Sequence, residues 1–229
     1  MSRAQRASKE RDARLEIMEV AERLCGEHGL ESVSVRDIAQ AAGVSLSAIN
    51  YHFGSKSNLL RTILRMRLDD IHAEREALLT PIETLKTPDL RDILRALLGP
   101  LAKWRAPNSG RQAALQFIAR ALIATLPELK EEVDESVPKL RRIAALLQQA
   151  LPHLSREEIC WRLHFTMGIE HMNHWDAHRL GILSEGKCDT SDTEAVLEKA
   201  IDYAAAAFHA PDAARGKSEA RPAKRARKG

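Results

Sequence analysis

A run of histidines with one cysteine, between residues 155 and 180, holds the side chains best suited to binding a ligand or a metal ion. At about 100° per residue, a helix over this segment places them within a stripe about 80° wide. A buried imidazole needs a partner for each ring nitrogen, so such a stripe must face something polar. The stripe consists of Cys160, His164, Met167, His171, His174 and His178.

The residues themselves leave two chemical interpretations of this stripe open. It could form the wall of a small-molecule pocket, together with a neighbouring helix, and would then suit a small anion with an apolar or aromatic body, such as a carboxylic acid. It could instead hold a transition metal through its cysteine and histidines, although no Cys/His cluster with zinc-ligand spacing supports this. The predicted pocket residues are Gln116, Phe117, Arg120, His164, His171 and Trp175.

A second set of functional residues lies near the amino end, where residues 34–53 read SVRDIAQAAGVSLSAINYHF. They predict two short helices that meet across a tight turn. Ala39 is small enough for the second helix to cross close to it, and Gly43 can adopt the left-handed conformation that a β-carbon disfavours. The second helix would then present short polar side chains and one aromatic ring to a DNA major groove about 12 Å wide. An ordinary helical hairpin with a glycine turn is the alternative.

The elements that position both sets are helical. Apolar residues recur at helical spacing almost throughout, and no run of six residues alternates apolar with polar, so we predict an all-α fold. A small N-terminal three-helix module precedes a larger helical body. The predicted helices cover about 9–28, 35–42, 46–53, 56–80, 89–104, 108–126, 127–151, 155–180 and 193–208. The predicted divisions are a disordered basic arm (1–8), the helix-turn-helix domain (9–55), the body (56–210) and a disordered basic tail (211–229).

Charge and cysteine content narrow the class of protein. The net charge of the 229 residues is only +3, but both ends are basic: residues 211–229 carry seven basic residues against two acidic ones. Such ends favour a nucleic-acid partner without proving one. Three cysteines without CxxC spacing argue against a disulfide framework. With no signal peptide and no apolar run of membrane-spanning length, we expect a cytoplasmic protein without a membrane partner.

The N-terminal motif is similar to that of the tetracycline-repressor (TetR) family of bacterial regulators. The resemblance rests on Ser-Val-Arg-Asp-Ile-Ala, Ala-Gly-Val-Ser and Tyr-His-Phe-Gly-Ser-Lys, followed by Leu-Leu, and is dense over about residues 10–65. It implies a three-helix DNA-binding domain joined by a fourth helix to a ligand-binding and dimerisation body. It also implies repression of an operator that is relieved by a small-molecule effector.

The same resemblance implies particular DNA contacts. Ser34 and Lys56 fall where family members contact phosphates from helix N-termini, where main-chain N–H groups favour anions. Asn50 departs from the frequent Tyr-x-His-Phe pattern, so that Tyr51 takes over the phosphate contact or Asn50 reads adenine with two hydrogen bonds. The predicted DNA-binding residues are Ser34, Arg36, Ser45, Ser47, Asn50, Tyr51, His52 and Lys56.

The resemblance adds a third interpretation of the histidine stripe. In this family the last two helices pair with their twins in a homodimer, and Gly168 would allow a close approach there. Dimerisation through residues near 155–180 and 193–208 would place two recognition helices about 34–36 Å apart, one turn of DNA. Effector binding would tilt the helix that begins at Lys56 and change this spacing.

We therefore predict a dimeric transcriptional repressor, with no cofactor and no catalytic residues. The chain contains no G-x-S-x-G, no H-E-x-x-H and no glycine-rich phosphate loop, which argues against an enzyme. A metal-responsive regulator and a helical enzyme of unknown activity are the alternatives.

Overall fold

The computed structural model describes residues 3–124, 126–175 and 177–211, and confirms the all-α prediction. Within these ranges the chain forms helices joined by short turns, with no strand, and a short 3₁₀ helix at Pro127–Leu129. The α-helices are α1 (Arg3–His28), α2 (Val35–Ala41), α3 (Leu46–Phe53), α4 (Lys56–Glu83), α5 (Leu90–Arg105), α6 (Gln112–Ile123), α7 (Lys130–Ala150), α8 (Arg156–Trp175), α9 (Ala177–Leu183) and α10 (Thr193–His209).

The first helix is longer than its sequence pattern predicts. We expected it to begin at Lys9, after a disordered arm, whereas α1 begins at Arg3. Residues 3–9 contain neither glycine nor proline and include good helix formers, so nothing in them stops the helix from extending outward. The prediction of disorder is therefore wrong for residues 3–8, and residues 1–2 lie outside the described part. The predicted tail after Pro211 also lies outside it.

Two apolar clusters form the interior. The first joins α1, α2, α3 and the first half of α4 to α6 and the end of α5, and its fully buried members include Ile17, Ile38, Ile49, Ile63 and Phe117. The second joins the end of α4 to α5, α7, α8 and α10, and includes Ile93, Leu147, Ile159, Ile201 and Phe208. The N-terminal module thus shares its core with α6 of the body, instead of closing around a core of its own.

The contact of α1 with α6 is close and specific. A β-carbon on Gly26 would lie 3.1 Å from the Ala113 carbonyl oxygen and 3.2 Å from the main-chain nitrogen of Phe117, so glycine lets the two helices touch. The Arg120 guanidinium donates to the carbonyl oxygens of Gly26 (2.6 Å) and Glu27 (3.0 Å). It thereby satisfies carbonyls that the end of α1 would leave unpaired, and a cation there complements the helix dipole.

No helix of the described residues is both long enough and apolar enough to cross a membrane. The three cysteines are free thiols, with Cys25 buried and Cys160 and Cys188 exposed.

Candidate nucleic-acid interface

The turn between α2 and α3 has the geometry that its sequence predicts. Gly43 has a φ of +62°, in the left-handed region that favours glycine. The Val44 main-chain nitrogen donates to the Ala39 carbonyl oxygen at 3.0 Å, and Ala39 itself is buried. Because this turn reverses the chain within a few residues, α3 crosses α2 at a short distance and presents one of its faces outward.

Reciprocal hydrogen bonds fix the start of α2. The Ser34 hydroxyl accepts from the Asp37 main-chain nitrogen at 3.2 Å, and the Asp37 carboxylate accepts from the Ser34 main-chain nitrogen at 2.7 Å. This capping box satisfies two N–H groups, and the hydrogen bonds to Ser34 lower the pKa of Asp37. Ser34 is exposed, so its hydroxyl stands at a helix N-terminus where an anion such as a phosphate is favoured.

The outer face of α3 is polar apart from two larger side chains. Tyr51 is 75 % exposed and Leu46 is 42 % exposed, whereas Ile49 and Phe53 on the opposite side are buried. Ser45 caps the helix by accepting from the Ala48 main-chain nitrogen at 3.2 Å. The remaining predicted groove-facing residues, Ser47 and Asn50, are exposed, and His52 is partly buried.

The Tyr51 and His52 rings are in contact, with centroids 5.1 Å apart in an edge-on arrangement. The Arg14 guanidinium lies 5.3 Å from the centroid of the Phe53 ring. This cation–π contact brings a basic residue of α1 to the end of α3, a placement that sequence reasoning missed because it depends on how α1 packs.

Lys56 and Arg36 supply positive charge on either side of α3. Arg36 is exposed on α2, as a contact with DNA requires. The ammonium of Lys56 donates to the Leu30 carbonyl oxygen, in the turn after α1. Lys56 therefore has an internal partner in addition to the phosphate contact that its position predicts, and an ammonium has three donors to share.

The described residues of the predicted effector pocket lie in different surroundings. Phe117 is fully buried in the first apolar cluster, while Gln116 and Arg120 line a groove of about 480 Å³ between α1 and α6. His164 is exposed on α8. Residues Gln116 and Arg120 therefore face α1, while the pocket formed with the α8 histidines stays a prediction. The side chains of His171 and Trp175 lie outside the described part of the structure.

Of the described stripe residues, only Met167 packs against the second apolar cluster, and the others lie on the surface. Cys160, His164 and the adjacent rings of Trp161 and Phe165 are exposed, and these two rings stack with centroids 5.7 Å apart. Gly168 is exposed as well, and a β-carbon there would meet no atom within 4 Å. No group of three metal-binding side chains occurs among the described residues, so nothing in this part of the chain favours the metal interpretation.

A cavity that the sequence did not predict lies between α4 and α7. Its volume is about 300 Å³, and its lining includes His72, Arg75, Leu79, Lys139 and Ile143. Burial, reinforced by the charges of Arg75 and Lys139, lowers the pKa of His72 to about 4. The imidazole is therefore neutral at physiological pH, and can both donate and accept a hydrogen bond.

Two family models match the chain. The model described as "Bacterial regulatory proteins, tetR family" matches residues 17–63, and "Tetracyclin repressor-like, C-terminal domain" matches residues 95–207. The first match covers α2, α3 and the exposed face described above, together with the C-terminal part of α1 and the beginning of α4. The second covers α7, which forms one wall of the cavity, and the exposed aromatic face of α8.

Curated relatives match mainly over the N-terminal module. The chain is 43 % identical over 58 residues to the transcriptional repressor KstR2 of Rhodococcus jostii, a match that covers 25 % of this chain and 28 % of the relative. It is 33 % identical over 87 residues to the regulator TtgR of Pseudomonas putida, which covers 38 % of this chain and 40 % of the relative. The matched segments thus span well under half of these relatives' lengths. The family and these relatives are transcriptional regulators and not enzymes.

Solved structures extend the likeness to most of the chain. The TetR-family regulator PfmR of Thermus thermophilus has a TM-score of 0.58 at 20 % identity, covering 86 % of this chain and 98 % of that one. A transcriptional regulator from Rhodococcus sp. RHA1 has a TM-score of 0.59 at 22 % identity, covering 86 % and 99 %. At these identities the likeness establishes the fold.

Proposed function

Because the chain belongs to the tetR family of bacterial regulatory proteins, we propose that it is a dimeric, sequence-specific repressor that a small-molecule effector releases from its operator. The observation that carries the DNA-binding part is the exposed polar face of α3, held out by the Gly43 turn. A helix presented in this way fits the major groove, with its N-terminal residues near base edges.

The proposed operator contacts are of two kinds: some position the protein on the phosphate backbone, and others recognise base edges. Ser34, at the N-terminus of α2, and Lys56, the first residue of α4, would hold phosphates and set the register. Asn50 is exposed and would read an adenine through two hydrogen bonds, while the protruding Tyr51 ring would reach the backbone or a thymine methyl group. Arg36 and Arg14 would add attraction that weakens with salt.

Dimerisation would use the exposed face of α8. Stacked aromatic side chains at Trp161 and Phe165, 52 % and 62 % exposed, are costly to leave in water and typical of a protein interface. Tyr203 of α10 is 68 % exposed. Pairing these helices around a two-fold axis would place two copies of α3 about one DNA turn, roughly 34–36 Å, apart.

The effector would occupy the cavity between α4 and α7. Leu79 and Ile143 supply apolar walls beside the neutral His72 imidazole. The lining has three cationic side chains and two carboxylates, so its net charge is positive: Arg75, Lys139 and Arg142 against Asp69 and Glu76. This lining suits a small carboxylic acid with an apolar or aromatic body. Since α4 begins at the DNA-facing Lys56, a ligand wedged between α4 and α7 would lower operator affinity to the extent that it favours a different position of α4.

Selection of binding sites tests the DNA-binding proposal. Duplexes with a random core are incubated with the purified protein, and the bound fraction is amplified and sequenced over several rounds. We expect enrichment of an inverted repeat with half-sites about one helical turn apart, and no enrichment with the Tyr51→Ala variant. Enrichment of no sequence by the wild-type protein contradicts the proposal.

A thermal-shift panel of aliphatic and aromatic carboxylic acids and divalent metals tests the effector proposal. A stabilising acid should also release the selected duplex. The Ala73→Phe variant, which places a phenyl ring in the cavity between α4 and α7, should abolish both effects. Gln116→Phe in the groove between α1 and α6 is the matched control and should leave them intact. If stabilisation is lost only with Gln116→Phe, the effector binds in the other groove. Stabilisation by a metal alone would instead favour the metal-responsive alternative.

A further inference from the structure

A buried ion pair joins the DNA-binding module to the long connecting helix. Glu22 of α1 is 3 % exposed, and its carboxylate accepts three hydrogen bonds from the Arg67 guanidinium of α4, at 2.6, 3.0 and 3.1 Å. A bidentate pair of this kind defines the orientation of both side chains as well as their distance. Apolar contacts between the same two helices set no such orientation.

The ion pair continues into the body of the protein. The remaining guanidinium nitrogen of Arg67, Nη1, donates to Asp70 at 3.1 Å, and the same Asp70 oxygen accepts from Arg111 at 2.9 Å. Arg111 immediately precedes α6, in the turn after α5. Glu22, Arg67, Asp70 and Arg111 therefore form one chain of charge-assisted hydrogen bonds from α1, through α4, to the α5–α6 turn.

Arg111, the residue at which this hydrogen-bond network reaches the body, is itself held in place. The Arg111 guanidinium lies 4.4 Å from the centroid of the Trp104 ring, which is 1 % exposed. The Trp104 indole nitrogen donates to Glu74 at 2.7 Å. Since Trp104 is held by both packing and a hydrogen bond, Arg111 has a rigid base from which to hold Asp70.

We infer that Glu22, Arg67, Asp70 and Arg111 are positioning residues for operator binding, an inference that rests on the proposed function. They hold α1 at one angle to the body, and through the shared apolar cluster they set how α3 is presented. In a dimer the two recognition helices must match two half-sites at once. If the angle between α1 and the body varies more, fewer dimers hold both helices in the matching arrangement, and operator affinity falls without a change in any residue that touches DNA. The network also gives the α5–α6 turn a mechanical connection to the DNA-binding module.

Two neighbouring aspartates offer a matched test. Asp70→Ala breaks the network, whereas Asp69→Ala removes the adjacent carboxylate, which pairs instead with Lys139 of α7 at 2.9 Å. Both variants raise the net charge equally, so long-range attraction for DNA rises equally in both. We expect Asp70→Ala to bind the selected duplex about fivefold or more weakly than Asp69→Ala, within the usual range of coupling between sites. Equal affinities, or tighter binding by Asp70→Ala, overturn the inference.

A double-mutant cycle separates positioning from general destabilisation. Arg111→Ala should also weaken binding, and the Asp70→Ala, Arg111→Ala double variant should bind no more weakly than the worse single variant. Losses that add in full contradict the inference. The Arg141→Ala variant, on an exposed residue of α7, controls for the lost positive charge, and circular dichroism confirms that each variant is folded under the assay conditions.

Hydrogen exchange gives a readout that needs no operator. Residues 17–28 of α1 should exchange faster in Asp70→Ala than in Asp69→Ala, and equal exchange counts against the network as a restraint on α1. If the wild-type protein enriches no duplex at all, the proposed function fails and the role in operator binding fails with it. If the wild type binds its duplex and the two aspartate variants behave alike, only the positioning inference fails.

Discussion

The ammonium of Lys56 and the carbonyl oxygen of Leu30 form a hydrogen bond that joins the first turn of α4 to the turn after α1. This hydrogen bond is partly buried, so water replaces the lost donor only in part. A residue expected only to hold a phosphate thus also ties the connecting helix to the DNA-binding module, and its substitution should affect both binding and stability.

Replacing Lys56 with methionine keeps the aliphatic stem and removes the ammonium. We expect operator affinity to fall about tenfold and the salt slope of binding to decrease by about one, as for a lost phosphate contact. Unfolding free energy should fall by about 1–2 kcal/mol, because the Leu30 carbonyl loses a charged donor. Fluorescence anisotropy at several salt concentrations and urea unfolding measure the two effects. Lys86→Met, on an exposed residue between α4 and α5, removes the same charge and should show neither loss.

Tyr51 should matter for binding and not for folding. Because three quarters of its side chain is exposed, Tyr51→Ala should change the unfolding free energy by less than about 0.5 kcal/mol. Operator affinity should fall at least tenfold, with Tyr51→Phe showing whether the hydroxyl is needed. Normal operator binding by Tyr51→Ala would show that α3 does not meet DNA through this face.

Two glycines should resist substitution for different reasons. Gly43→Ala meets no neighbouring atom, so its cost of about 1 kcal/mol comes only from a left-handed backbone, and Gly43→Asn should recover much of it. Gly26→Ala would push against α6 and cost about 1–3 kcal/mol, and asparagine there should be worse. Urea unfolding of the four variants measures both costs, and recovery by asparagine at position 26 would argue against close packing of α1 on α6.

His72 should make stability depend on pH. Its pKa falls from an ordinary value of 6.5 to about 4 in the folded protein, because it is buried and faces Arg75 and Lys139, with Asp69 opposing the shift. Between these pH values the unfolded chain binds more protons than the folded one, so the unfolding free energy should rise as pH rises from about 4 to 6.5. Urea unfolding across this range should show a shallower rise for His72→Gln. The exposed His153→Gln control should retain the wild-type slope, and an unchanged slope in His72→Gln would contradict the burial argument.

Charge on the exposed face of α8 should break the proposed dimer. Trp161→Glu combined with Phe165→Lys leaves the net charge unchanged and removes the stacked rings. We expect light scattering to report half the wild-type mass, and operator affinity to fall at least tenfold, because a single module contacts one half-site. Val137→Glu with Arg141→Leu, on exposed positions of α7, provides a control that should remain dimeric. If the α8 variant remains dimeric, the dimer interface lies on another surface of the protein.

The helix-turn-helix was predictable because the residues that build it are close in the chain. Ser34 and Ser45 cap helices through main-chain groups three residues away, and Gly43 makes the turn by its own backbone freedom. Helical periodicity then indicates which side of α3 is buried. The beginning of α1 was misjudged because basic and polar residues can continue a helix as readily as they can form an arm.

The proposed effector site was not predictable in the same way. Periodicity shows that Gln116 and Arg120 share one face of α6, but not which helix that face meets. Likewise, nothing in the local pattern around His72 or Asp70 reveals the partners that α7 and the α5–α6 turn bring to them.

The amino-acid sequence by itself therefore determined the helical class and the geometry of the recognition motif, because caps, turns and periodicity act over a few residues. Tertiary structure alone decided that α6 turns toward α1, that a cavity opens between α4 and α7, and that Glu22 connects through Arg67 and Asp70 to Arg111. These features depend on contacts between residues far apart in the chain, where the close approach permitted at Gly26 and the pairing of buried charges select one packing of amphipathic helices among many.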